Sequence, residues 1–562
     1  MRLPMYKPLI ALAATLIASS AAADTLVTNV NGIQVGADGK LQHFRALTIT
    51  DDGKVRQVIQ NPELVRLANI TSQVDGGGRT LLPGLIDGHG HVMGLGQAAL
   101  QLDLVGTTSI RDMQRRLSGY AASRKDPWLS GRGWNQELWA EKRFPMAADL
   151  DAAVSDRPVV LERVDGHAVV VNSAALKAAN ITAATKDPVG GKIERDAQGN
   201  PTGLLVDAAT ELVTKVVPAA TPQQLDTAFA KAQEALLSVG VTSAGDMGTS
   251  TADWQAFRRA GDAGTLNVRV FSYSFRLEPL LAVSPNGPTP WLYGDRLRMG
   301  GMKLYADGAL GSRGAWLKQP YSDKPDTRGL QFLKDDELRQ TADEAAKRGY
   351  QIAVHAIGDA ANAQVLSAYE WLNQRYQGDR RWRIELAQIV DPTDIPRFSR
   401  AKIIASMQPT HQTSDRLMAE ARLGKTRLAG AYAWQSMLKS GARIAFGSDF
   451  PVESPNPFPG LSAAMSRQDI NGQPPGGWFP SQRLTFAQAL KAFTRDAAYA
   501  GFAETRVGAL EPGKWADFIL IDRDPTKVDA QSLARTQVLE TWVAGKKVWS
   551  RESKVSPAGS AR

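Results

Sequence analysis

Short apolar runs recur along the middle of this chain, most of them separated by segments whose apolar residues fall three and four positions apart. The runs predict eight strands. They are Leu81 to His91, Val239 to Met247, Val268 to Phe275, Arg298 to Asp307, Gln351 to Ile357, Arg383 to Val390, Lys402 to Pro409 and Arg443 to Asp449. Helical spacing predicts helices over Pro222 to Ser238, Asp335 to Arg348 and Ala360 to Arg375. Eightfold strand–helix alternation predicts an α/β fold, a (β/α)8 TIM-like barrel over about 83–503. In such a barrel the carboxyl ends of the strands form the reactive face, and His89, His91, Asp246, Asp307, His355 and Asp449 stand at those ends.

The two ends of the chain follow a different pattern. Thr25 to Val35, Arg45 to Ile59 (interrupted by the turn Asp51-Asp52-Gly53-Lys54), Ala516 to Ile521 and Val538 to Val548 all read as strands. They predict one small β-sandwich domain built from both termini, residues 24–82 and 504–555. Between the first two barrel strands lies an interval, about 97–217, far longer than a usual connection. It is expected to form an inserted subdomain at the barrel mouth. Trp128, Trp134 and Trp139 within it read either as an aromatic pocket or as core.

Composition adds location and excludes some partners. Arg2 and Lys7, the apolar stretch Pro8 to Ile17 and the small residues Ala21-Ala22-Ala23 read as a signal peptide over 1–23. The expectation is a periplasmic or secreted protein, without membrane attachment once the leader is removed. The chain has no cysteine, so neither disulfides nor thiolate chemistry enter. A net charge of +9 comes from basic residues scattered among acids, which argues against nucleic acid and for a small-molecule substrate. A homo-oligomer is left open.

The candidate chemistry begins at His89-Gly90-His91. Two imidazoles at i and i+2 on a strand share a side, and such a pair suits zinc and related divalent metals. Alone the pair is a weak signal. It is joined by Leu82-Pro83-Gly84-Leu85-Ile86-Asp87 before it, Asp165-Gly166-His167, Lys303-Leu304-Tyr305-Ala306-Asp307-Gly308 and His355-Ala356-Ile357-Gly358-Asp359. Further along come Ser406-Met407-Gln408-Pro409-Thr410-His411, Gly447-Ser448-Asp449-Phe450-Pro451 and Leu510-Glu511-Pro512-Gly513. On these motifs, from about Thr25 to about Ser550, the chain resembles the amidohydrolase superfamily, in the family 3 branch that includes N-substituted formamide deformylase.

That resemblance implies roles. His89, His91 and Asp449 hold the deeper metal, Lys303 is a lysine that can be carboxylated to bridge two ions, and His355 binds a second ion or completes a one-metal site. Strand six should supply a histidine two residues before a glutamine. The chain instead reads Ile384-Glu385-Leu386-Ala387-Gln388, and leucine donates nothing to a metal. Three readings follow: a one-metal enzyme, which is favoured; a degenerate barrel that only binds; and a two-metal site completed by Gln388 or His411. The expected reaction is hydrolysis of a non-peptide C–N bond, amide or formamide-like, with Asp449 as catalytic proton carrier and the metal, or a neighbouring donor such as His411, polarising the substrate carbonyl. Lactone or ester hydrolysis and deamination are the alternatives on the same site. His167, Asp307, Arg313 and His411 are expected to contact substrate.

Overall fold

The computed structural model describes residues 24–61 and 70–551, so the expected leader lies outside the described residues. Eight parallel strands form the central sheet. They are β1 (Leu85–Gly90), β2 (Val241–Thr249), β3 (Arg269–Phe275), β4 (Leu297–Tyr305), β5 (Gln351–Ala356), β6 (Arg383–Leu386), β7 (Ile404–Met407) and β8 (Arg443–Phe446). Each overlaps one predicted stretch and pairs with the next in order. The ring closes just beyond β8: Asp449 N–H donates to His89 O at 2.8 Å and His91 N–H to Phe450 O at 2.7 Å. The fold is a TIM-like barrel.

Local chemistry explains the helices around it. Pro222–Ser238 starts at a proline in its first turn, with Thr221 and Gln224 satisfying each other's backbone N–H. It buries Leu225, Ala228, Phe229, Ala232 and Leu236, a stripe at helical spacing. Asp335–Lys347 and Asp359–Arg375 likewise follow the predicted pattern. No helix among the described residues is long and apolar enough to cross a membrane.

A four-stranded sheet comes from the N-terminal segment alone. A six-stranded sheet takes Asn31–Val35, Leu41–Phe44 and Thr80–Pro83 from one end, and Phe518–Ile521, Val538–Val543 and Lys546–Ser550 from the other. Val27, Leu47 and Ile49 of the first sheet share a core with Phe44, Leu81, Phe518 and Trp542 of the second, which makes a β-sandwich. It is tied to the barrel by Arg269, whose guanidinium donates to both oxygens of Asp517 at 2.7 and 2.9 Å in buried surroundings.

Two predicted strands divide. Leu81 to His91 breaks at Gly84, with Thr80–Pro83 in the sandwich and Leu85–Gly90 in the barrel. The chain changes sheets where Gly84 passes so close to Thr242 that a Cβ would lie 2.3 Å from its hydroxyl. Thr25 to Val35 divides at Asn29, whose φ of 52° turns the backbone.

The inserted stretch carries its own six-stranded sheet, from Leu102–Asp103 to Pro201–Asp207. Trp134 and Trp139 are buried in its core, their indole N–H groups on Leu161 O and Thr107 O, so the core reading of these two holds. Arg132 donates to Pro451 O beyond β8 and thereby joins the insertion to the barrel face.

Candidate metal centre

His89 and His91 stand at the carboxyl end of β1. Their Nε2 atoms lie 3.3 and 3.1 Å from Asp449 Oδ1. These three ligand atoms fall within 4.8 Å of one another, and no other such grouping of three occurs among the described residues. Asp449 takes up φ 60°, a left-handed conformation that costs a non-glycine residue about 1–3 kcal/mol and is retained where surroundings enforce it. The surroundings here are Asp87, which is buried and accepts from Ser448 N–H, Ser448 Oγ–H and His89 N–H. Burial lifts the Asp87 carboxyl to about 7.

Strand β6 contributes a layer behind the histidines that sequence reasoning missed. Glu385 Oε2 is 2.6 Å from His89 Nδ1, and Arg383 donates to Glu385 Oε1 at 2.7 Å and to Gly88 O at 2.7 Å. Burial works against charge on Glu385, but Arg383 and His89 outweigh it and bring the carboxyl down to about 2. An ionised Glu385 fixes the hydrogen of neutral His89 on Nδ1 and leaves Nε2 with a lone pair. That lone pair faces Asp449 Oδ1, which accepts no hydrogen bond. Two acceptors aimed at one point repel unless a cation lies between them, so the donor set fits a divalent metal. The available signal was Arg383 and Glu385 at i and i+2, two charges on one face of an otherwise apolar strand.

Lys303 on β4, His355 on β5 and His167 from the insertion border the same cavity, about 970 Å³ in volume. The Lys303 ammonium lies 4.2 Å from the centre of the Tyr305 ring. His355 is buried, its Nε2 has no hydrogen-bond partner, and burial holds its pKa well below the ordinary value, the neutral state a ligand requires. His167 packs 5.1 Å from His355 between ring centres and bonds Asp207 Oδ1 through Nδ1 at 2.7 Å. Burial opposes its charge, but Asp207 raises the imidazole to about 9. Asp207 fits because Gly308 and Gly314 lack side chains: a Cβ there would come within 2.6 and 2.5 Å of the carboxylate oxygens.

A second lobe, about 730 Å³, adjoins the first at Asp449 and His167. Leu386 borders it. Strand alternation would turn Leu386 away from the face of Glu385, but φ values of 73° and 45° at Leu386 and Ala387 end the strand and redirect the chain. Gln388 therefore lies off the strand, its amide 2.9 Å from His411 Nδ1. With that amide donating, the His411 hydrogen is on Nε2, which is buried, unpartnered and 3.8 Å from Asp449 Oδ2. His411 does not join the three-ligand grouping.

Two residues expected to contact substrate have partners within the protein. Asp307 is wholly buried and spends its oxygens on the N–H groups of Trp316, Ile357 and Gly358, so it pins two loops. Arg313 borders neither lobe and is paired with Asp323. Asp246 also holds backbone, accepting from Val92 N–H at 2.7 Å.

A model of the amidohydrolase family matches residues 73–549. The chain is 34% identical to the Arabidopsis thaliana protein LONG AFTER FAR-RED 3, over 94% of this chain and 92% of that one. It is 27% identical to N-substituted formamide deformylase of Arthrobacter pascens, over 93% and 97%. The crystal structure of an uncharacterized metal-dependent hydrolase from Pyrococcus horikoshii OT3 superposes with a TM-score of 0.74 at 29% identity, covering 90% of this chain and 99% of that one.

Proposed function

The chain belongs to the amidohydrolase family, and from that premise we propose that it hydrolyses a C–N bond other than a peptide bond in a small formamide or acylated amine, using one divalent ion, zinc by donor chemistry. The observation that carries the reading is the convergence of His89 Nε2, His91 Nε2 and Asp449 Oδ1 with no hydrogen bond among them to explain it. His355 Nε2, equally unpartnered, is the fourth candidate ligand. When bound, such an ion supplies Lewis acidity and brings the pKa of a water from 15.7 towards ~7.

The protein's own groups do the rest. A ligand to a divalent ion is deprotonated, so Asp449 in this reading is a carboxylate when substrate arrives. It takes a proton from the attacking water and returns it to the leaving nitrogen. His411, whose Nε2 is unpartnered and which borders the second lobe, is the donor assigned to the substrate carbonyl oxygen, where it stabilises charge as the carbonyl carbon becomes tetrahedral. His167, held by Asp207, borders both lobes and contacts substrate at their junction.

Leu386 limits the site to one ion, and Lys303 then remains an amine. Metal analysis of the purified protein, beside an activity screen across formamides, acylated amines, cyclic amides and lactones, tests this. Close to one tightly held divalent ion and turnover of a C–N substrate are expected. Two ions at full occupancy would overturn the one-metal reading, and inertness with every metal and substrate class would favour a barrel that only binds. Leu386→His is expected to raise metal content.

A further inference from the structure

The lobe bordered by Leu386 carries a charge imbalance that the hydrolytic chemistry does not use. Helix Pro409–Leu423 presents His411, Ser414, Asp415 and Met418 to it, a stripe at helical spacing. Asp415 has the Tyr432 hydroxyl as its hydrogen-bond donor at 2.5 Å, and Glu453, in the loop after β8, has the Ser414 hydroxyl at 2.6 Å. No Lys, Arg or His lies within ion-pair distance of either carboxyl among the described residues. Of the other acids bordering the lobe, Asp165 is matched with Arg163 and Glu137 with Arg422, Asp449 belongs to the ligand grouping, and the exposed Asp103 accepts from Val105 N–H. Deep in the lobe this leaves two carboxyl groups without a base, beside the 5% exposed His411, whose Nε2 has no hydrogen-bond partner.

The walls are apolar. Leu386 and Met418 are buried against the cavity, while Val105, Leu138 and Leu417 stand 53%, 50% and 58% exposed at its edge. Large apolar side chains left in water around a concave site mark a surface that receives apolar atoms. A ligand suited to this lobe thus has a hydrocarbon stem and a terminal group that only donates hydrogen bonds and is positive.

We propose that this lobe binds a primary alkylammonium group carried on the nitrogen substituent of the substrate, with Asp415 and Glu453 as its counter-charges and Leu386 and Met418 along its stem. In this arrangement the loss of the strand-six imidazole has a positive counterpart, since a leucine at position 386 adds an apolar wall to the lobe. The turnover arm of the test rests on the formamide reading above; the binding arm does not.

Binding is measured by calorimetry on the whole protein, with n-pentylamine and n-pentanol as probes, for the parent, Glu453→Gln and Asp415→Asn. The amine is expected to bind more tightly than the alcohol, and each variant to reduce that preference at least about tenfold. Turnover is measured on N-(5-aminopentyl)formamide and N-hexylformamide, which differ by one terminal NH3+ for CH3. The parent is expected to favour the first in kcat/KM, and Glu453→Gln to reduce the ratio at least about tenfold. Equal binding of amine and alcohol, or a preference untouched in both variants, overturns the proposal. So does a fall in bound divalent metal in Glu453→Gln, which would assign the carboxyl pair to an ion. If neither formamide is hydrolysed while the amine preference holds and falls in the variants, the formamide reading fails and the ammonium lobe stands.

Discussion

Asp449 closes the ring through its N–H, and the proposed function adds two assignments at the same position, metal contact through Oδ1 and proton transfer on the side of the cavity that Oδ2 faces. Asp449→Asn keeps the backbone bond and one oxygen donor but cannot accept the proton. Turnover is expected to fall by ~10²–10⁴-fold, the contribution of a positioned acid–base group, while circular dichroism shows the fold retained. Parent-like turnover would refute the proton-carrier role. His167 gives a residue-scale prediction in pH. Its folded pKa of about 9 lies above the ~6.5 of an unperturbed histidine, so its ion pair with Asp207 stabilises the fold fully below pH ~6.5, and that contribution is lost as pH rises through about 9. Thermal melts from pH 6 to 10 are expected to show this decline in the parent and a flatter profile in His167→Gln. Parallel profiles would show that the pair adds nothing to stability.

At the scale of the element, strand β6 concentrates the consequences. Glu385→Gln leaves the Arg383 guanidinium buried without its counter-charge, an expected loss of ~3–5 kcal/mol in urea unfolding. It also frees the His89 ring, so metal affinity in a chelator competition is expected to drop ~10–100-fold. Unchanged affinity would mean that packing alone orients His89. The same strand shows how far the sequence is legible. Barrel strands are buried on both faces and read as apolar runs, which is why all eight are visible. Gly84 is hidden for the same reason: Leu81 to Ile86 is one apolar run whether it lies in one sheet or passes between two. Ligand residues are visible because few side chains bind metal. The hydrogen bonds of Asp307 are not legible, because a carboxylate at a strand end looks alike whether it meets substrate or the N–H groups of loops distant in sequence. The carboxyl pair of Asp415 and Glu453 is invisible in one dimension, since nothing in spacing says which acids lack a base.

At the scale of the molecule, the sandwich and barrel are joined by Arg269 and Asp517, and Asp517 also accepts from Ala544 N–H at 2.8 Å. Asp517→Ala removes the counter-charge of a guanidinium that is 1% exposed, and ~3–5 kcal/mol of stability is expected to go with it. Chemical denaturation checks this, with metal content measured in parallel and expected to match the parent, because no ligand is touched. Loss of the ion as well would show that the sandwich helps to shape the barrel mouth.

The closing seam of the ring has a consequence for how the protein comes into being. Ser448 meets Asp87 across 361 positions of sequence, and the cation's donors straddle that same seam. Under the one-metal reading, His89 and His91 lie at one end of that span and Asp449 at the other, so the ligand set is split between the first and last barrel strands. No fragment cut within that span carries both halves. On that reading, only a chain brought full circle offers the ion all three donors.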